Sequence, residues 1–295
     1  MSEPFDADRA RFLLGLLKPE RLTRVVDIGA NPLEPTPYSG LLSVEGCEVW
    51  GFEPQKEAYD ELVAAAGPLE HYVPHAVGSK GTKRLNICAE SGFTSLLEPN
   101  PALPAFTGHF RHGMSVRETV EMETMPLDGI DLPQPDLIKI DIQGSEVDVF
   151  RSGPGIVAGA LAVITEVAAL PLYQDQPLLD DQMRELRGAG FHLHKFLFLK
   201  SVKLRRPAIG GLKRGHRSQL IDGDAVFVRG LMDLEGMDTE ALKHIAILAD
   251  TVFGSVDLAA LVTDVLTERG ALAAGSSKAY VDAVLNGAPA MGGAA

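Results

Sequence analysis

Cysteine is nearly absent. The 295 residues contain two, Cys47 and Cys88, far apart and each in an apolar context. That usage fits two buried, reduced thiols rather than a disulfide or a metal-binding pair. Long apolar runs are missing too. None approaches the roughly 20 residues that a membrane-spanning helix needs. The segment Met1 to Arg11 mixes acids and arginines and has no apolar signal core. Positive charge is in deficit, with 27 Lys and Arg against 40 Asp and Glu and a formal net charge of -13. A duplex nucleic acid is thereby excluded as the main partner, since phosphate binding needs a basic surface. These absences predict a cytoplasmic chain without a membrane span.

What remains is ordinary for a globular protein, 45% hydrophobic and 23% charged, and long enough to bury a large core. Ala10–Leu17 has helical periodicity through Phe12, Leu13, Leu16 and Leu17. Short, β-branched runs follow at 24–29 and 49–53, each closing on a turn, and read as buried parallel strands. Helical patterns over 56–66, 145–151 and 178–186 alternate with strand patterns at 72–77, 85–89, 120–125, 137–141, 161–166, 191–199 and 225–228. Such alternation predicts an α/β fold: a doubly wound, Rossmann-like, mostly parallel sheet over residues 1–230. From about Leu231 the pattern turns wholly helical and predicts a small C-terminal helical appendage over 231–295, with a frayed tail after Gly287.

In such sheets ligands sit beyond the carboxyl ends of the strands. Asp27, Gly29, Ala30 and Asn31 close the first strand, and Glu53 with Pro54 closes the second. An acid at Glu53 can accept both hydrogen bonds of a ribose diol. The turn decides between cofactors. A dinucleotide pyrophosphate needs G-x-G-x-x-G, whereas Gly29 is followed by Pro32, Pro35 and Pro37 before Gly40. Prolines lack the N–H a phosphate cradle uses. S-adenosylmethionine, whose far end is a zwitterion, needs no such cradle.

Four segments carry a resemblance: Val25-Val26-Asp27-Ile28-Gly29-Ala30-Asn31, Gly51-Phe52-Glu53-Pro54, Phe93-Thr94-Ser95-Leu96-Leu97 and the stretch from Leu137 to Glu146, Leu-Ile-Lys-Ile-Asp-Ile-Gln-Gly-Ser-Glu. In this order the chain resembles FkbM-type methyltransferases from about Val25 to Val167. The resemblance implies a class I methyltransferase sheet and a methyl transfer to a hydroxyl of a sugar, glycan or related small metabolite. It implies that Asp27, Gly29, Asn31 and Glu53 contact S-adenosylmethionine, that His75, Ala76 and Val77 border its adenine, and that Ser95 lies near cofactor or acceptor. Two departures stand out: Gln143 replaces a usual acid, and Pro32 to Pro37 looks inserted before Tyr38.

Methyl transfer to a hydroxyl gains from alignment and from a base. Asp141 ends one strand and Glu166 the next, so both are expected to flank the pocket, Asp141 on the cofactor or the acceptor. Glu146 opens the intervening helix and is read either with them or as a first-turn acid. These acids could hold a divalent cation, although Gln143 removes one ligand and no metal is expected. His109 and His112 lie in a polar segment placed to cover the pocket and are further candidates for the base. His192 and His194 share a strand face without further zinc ligands. The stretch 203–217 holds Lys203, Arg205, Arg206, Lys213, Arg214, His216 and Arg217. It is read as a solvated loop or as a lid attracting an anionic acceptor. The C-terminal helices are expected to pack on the core, to form a homodimer or to add an acceptor-binding face. A different reading is a cofactor-binding module without acceptor chemistry, to which Gln143 lends weight.

Overall fold

A computed structural model describes residues 5–32, 35–205 and 211–289. In chain order the elements are α1 (Ala7–Leu17), β1 (Thr23–Ile28), α2 (Ser39–Ser43), β2 (Cys47–Phe52), α3 (Lys56–Ala65), β3 (Glu70–Val73), β4 (Ala76–Val77), β5 (Gly81–Cys88), α4 (Leu103–Thr107) and β6 (Val116–Met125). Then follow β7 (Leu137–Ile140), α5 (Glu146–Ser152), α6 (Pro154–Gly159), β8 (Ala162–Ala168), α7 (Leu179–Gly188), β9 (Phe191–Val202), β10 (Gln219–Arg229), α8 (Thr239–Thr251), α9 (Val256–Glu268) and α10 (Ser276–Asn286).

The main sheet has the order β3-β2-β1-β7-β8-β10-β9. Its first five strands are parallel, with Val25 opposite Val49 and Leu137 and with Leu137 opposite Ala162, while β10 runs antiparallel to both β8 and β9. The chain order reverses direction beside β1, which makes the carboxyl ends of β1 and β7 the switch point where such sheets bind ligands.

The near-continuous apolar strands have a direct cause: both faces are covered. Val25, Val49, Leu137, Ile164 and Val226 pack on one side, with α1, α8, α9 and α10. Val26, Phe52, Ile138, Val163 and Phe227 pack on the other, with α5, α6 and α7. Leu242, Ile245, Ala249 and Val262 of the C-terminal helices join the first of these cores, so residues 239–286 form one helical layer of the sheet. Buried Asp250 ties the layer together, accepting from Arg9 Nε of α1 and from Tyr280 Oη of α10, each at 2.8 Å. Local signals set the ends. Asp6 Oδ1 caps α1 by accepting from the Asp8 and Arg9 amides, and α1 stops at left-handed Lys18 before Pro19.

Two expectations change. The strand predicted over 72–77 breaks at Pro74, which lacks the N–H needed to continue the ladder. Ala76–Val77 joins β5 and β6 in a second, three-stranded sheet instead. The strand predicted to end at Glu166 runs to Ala168, because its last residues keep pairing with β10 (Asp222 opposite Ala168) after the pairing with β7 has ended at Thr165. Arg206 and the residues after Pro289 lie outside the described residues, as does the side chain of Arg214. No helix among the described residues is long and apolar enough to cross a membrane.

Candidate functional site

A cavity of ≈370 Å³ opens at the carboxyl ends of β1, β2 and β7, within the size range of small-molecule sites. Gly29, Asn31, Glu53, Pro54, His75, Ala76, Val77, Ser95 and Asp141, all singled out in the sequence, line it.

Its floor is built around Gly29. At φ +85° this residue turns the chain after β1, and a Cβ there would lie 2.0 Å from the carbonyl oxygen of Asp141. Only glycine permits that approach of two backbones. The Gly29 and Ala30 amides both donate to Phe52 O at 3.0 Å, which fastens the turn to β2.

Asp27 is placed differently from the expectation that it touches the cofactor. It is fully buried beneath the turn and absent from the cavity wall. Tyr38 Oη donates to its Oδ2 at 2.6 Å, and Lys139 Nζ lies 3.1 Å from Oδ1, an ion-pair contact without hydrogen-bond geometry. Burial disfavours the charge on Lys139, but Asp27 and Asp141 outweigh it and raise its pKa. The same ammonium donates to Gly29 O at 3.3 Å. Asp27 thus acts through Lys139 on the shape of the turn. Ala30 is likewise buried behind the wall.

Glu53 is 7% exposed and its Oε1 accepts from the Gln55 amide at 2.7 Å. Burial pushes its pKa up to about 7, with nearby Asp27 adding and Lys139 opposing. Hydrogen bonding from Gln55, through its backbone and its side chain, opposes that rise, and the carboxylate lines the cavity as a buried acceptor.

The opposite wall is the turn after β7. Gln143 has φ +58° and Gly144 φ +105°. Gln143 Nε2 donates to Asp141 Oδ1 at 2.8 Å, and Tyr173 Oη lies 3.1 Å from Gln143 Oε1 and 3.1 Å from Phe93 O. The amide orientation is unambiguous: its NH₂ meets a carboxylate and its carbonyl meets a hydroxyl. The departure at Gln143 therefore has a local reason, since a carboxylate there would face Asp141 and repel it. Ser95 Oγ donates to Gln143 O at 2.7 Å and accepts from the Leu97 amide at 3.0 Å, which spends the hydroxyl on holding the turn.

The remaining acids stand apart. Glu146 is buried and accepts from the Gly144 amide at 2.9 Å and the Ile142 amide at 3.3 Å, the first-turn role; burial pushes it up to about 7. Glu166, expected to flank the pocket, does not line it. It sits two residues inside β8 opposite Asp224, where burial and then Asp141, Glu146, Asp222 and Asp224 raise its pKa far above the ordinary carboxyl range. Among the described residues no group of three His, Cys, Asp or Glu side chains is arranged to hold a metal ion. His109 and His112, expected to cover the pocket, line a separate cavity. Tyr38, Lys139 and Tyr173 escaped the sequence reading; only Lys139 left a signal, as a cation inside the apolar run Leu-Ile-Lys-Ile.

The family profile described as the methyltransferase FkbM domain matches residues 27–193, which spans β1 to the start of β9. The chain belongs to this family. The domain it carries is a methyltransferase domain. Solved structures are similar to the chain at low identity. One is the FkbM methyltransferase of Methylobacillus flagellatus KT, 16% identical over 70% of this chain, with a TM-score of 0.40. The chain spans 43% of that protein's length. Another is the magnesium protoporphyrin IX methyltransferase of Synechocystis PCC 6803, crystallised with its bound cofactor; it is 13% identical over 75% of this chain and 76% of its own, with a TM-score of 0.37. No curated protein matches the sequence.

Proposed function

We propose that this methyltransferase transfers the methyl group to a hydroxyl of a sugar, glycan or related small metabolite, with the cofactor in the Gly29–Glu53 cavity and Asp141 as the general base. The observation that carries the cofactor's place is Glu53: a buried carboxylate lining a cavity whose floor is a turn with no room for a side chain. A ribose diol offers hydroxyl donors to such a carboxylate, and the proline-bearing turn suits a ligand without phosphates. The residues present fit the group. Glu53 would take the diol, Ala76 and Val77 would cover the adenine, and Gly29 and Asn31 would face the methionine end. His75 lines the same side of the cavity.

Bound there, S-adenosylmethionine supplies an electrophilic methyl group on a sulfonium. The chain's own task is to present the acceptor oxygen in line and relieve it of its proton. Of the four side chains considered for that task, Asp141 alone lines the cavity. Gln143 holds one of its oxygens, and Tyr173 holds Gln143, so the carboxylate is oriented before any acceptor arrives. Residues 1–230 carry this chemistry in our reading, and the helices over 239–286 support the sheet.

Calorimetric titration with S-adenosylmethionine tests the site, with Glu53→Ala as the control. Saturable binding weakened at least tenfold by the substitution supports the assignment; equal binding by both proteins refutes it. Methyl transfer to a panel of sugars and polyols then tests the acceptor class, with Asp141→Asn expected to lower kcat by about 10²–10⁴.

A further inference from the structure

A second cavity of ≈430 Å³ lies at the same edge of the sheet. One 3₁₀ turn, Ser91–Phe93, forms the partition: Ser91 and Gly92 line the first cavity, Phe93 the second. Tyr173 bridges the two walls, since its hydroxyl reaches both Phe93 O and the Gln143 side chain that holds Asp141.

The second cavity has an aromatic corner. Phe93 and Phe110 meet edge to face, with ring centroids 5.8 Å apart at 76°. Phe110 holds φ +71°, a strained conformation for a bulky residue and one that clusters at ligand clamps. Lys200 Nζ stands 5.9 Å from the Phe93 ring centre and 5.3 Å from that of Phe110, with Asp222 Oδ2 at 3.3 Å. His109, His112 and Arg217 complete the rim, and Glu90 is the acid on the wall.

The charge pattern around this corner opposes that of the whole chain. Acids outnumber bases 40 to 27, yet Arg217, Arg205, Lys203 and Lys213 form no ion pair among the described residues. All four sit in or beside the β9–β10 connection, and the Arg205 side chain lies over Gly108, next to His109. Of the four, Arg217 lines the cavity itself, and a cation without an ion-pair partner on a partly apolar wall focuses a positive field and attracts anions. Arginine in particular matches the geometry of carboxylates and phosphates.

We propose that this second cavity seats the methyl acceptor, and that the acceptor is an anionic sugar ring bearing a carboxylate or a phosphate. The ring's apolar face rests on Phe93 and Phe110, and its anion meets Arg217 and Lys200. A hydroxyl then reaches past the Ser91–Phe93 partition toward Asp141. The proposal rests on the reading that the first cavity holds the cofactor.

The test is titration of the full chain with glucuronic acid, glucose 6-phosphate and glucose, followed by NMR saturation transfer, for the unmodified protein and for Arg217→Ala and Phe110→Leu. S-adenosylmethionine binding is measured on each. Both acidic sugars, or one of them, are expected to bind at least tenfold more tightly than glucose; which one does identifies the anion. Arg217→Ala should erase that preference, and Phe110→Leu should weaken all the sugars that bind. Cofactor affinity should stay within twofold in both variants. Equal binding of glucose and the acids, a preference that survives Arg217→Ala, or no sugar binding by a protein that binds the cofactor overturns the proposal. Failure of the unmodified protein to bind the cofactor overturns the underlying reading of the first cavity instead.

Discussion

With Glu53 as the acceptor of the ribose diol, as proposed, cofactor binding is expected to depend on pH. The Glu53 carboxyl group is held near pKa 7 by burial, yet a ribose diol donates to the charged form. If only the ionised form binds, the apparent Kd is the intrinsic Kd multiplied by (1 + 10^(pKa − pH)). Affinity is then full at about pH 8.5, about twofold weaker at pH 7 and about elevenfold weaker at pH 6, a loss of roughly 1.4 kcal/mol for each further unit. Calorimetry in buffers of different ionisation enthalpy should count about 0.9 proton released on binding at pH 6, about 0.5 at pH 7 and almost none at pH 8.5. Glu53→Gln should remove this component and leave any titration of the cofactor itself. Stability follows the opposite course. The folded carboxyl keeps its proton to about pH 7 while the unfolded one loses it near 4.5. The folded chain therefore holds more protons across that window, and its stability falls as pH rises through it. Glu53→Gln should accordingly stabilise the protein at pH 8 by up to about 3 kcal/mol and change it little at pH 4.5. A Kd independent of pH between 6 and 8.5, together with an unaltered Tm for Glu53→Gln at pH 8, would refute the reasoning.

Three further outcomes follow from the geometry. Gly29→Ala drives a Cβ to 2.0 Å from Asp141 O at a φ of +85° and should cost more than about 3 kcal/mol in urea unfolding or weaken cofactor binding at least tenfold. Gln143→Glu places a second carboxylate against Asp141 Oδ1, where the amide now sits at 2.8 Å. The acid limb of the pH–rate profile should move up by about 1–3 units, and an unmoved limb would argue that Asp141 does not titrate in the reaction. Asp250→Ala removes the carboxylate that buried Arg9 and Tyr280 share. The expected loss is about 3–5 kcal/mol by chemical denaturation, with cofactor affinity retained once the protein is folded.

The sheet was legible because burial writes itself into local sequence. Val25 and Val26 are neighbours that enter opposite cores, as are Leu137 and Ile138, so the strands read as unbroken apolar runs. Pro74 shows where such reading fails: Tyr72 to Val77 keeps its strand composition, but one missing N–H divides it between two sheets. The cavity wall was legible for a related reason, since carboxyl ends of parallel strands share one edge, and Gly29, Glu53 and Asp141 had to meet there. Roles within that edge were not legible, because they depend on partners distant in the chain. Asp27 and Glu53 look alike as acids closing strands, yet Tyr38 and Lys139 occupy the first and leave the second facing the cavity. Gln143 read alone suggests a lost acid, but Tyr173, thirty positions on, converts it into the clip that orients Asp141. His109 and His112 were sensed as pocket residues from their polar segment, and they do line a cavity, the one on the far side of Phe93. Strand patterning brought Gly29, Glu53 and Asp141 to one edge of the sheet; only long-range contacts divide that edge into the cavity these residues line and the one that Phe93, Phe110 and Arg217 line.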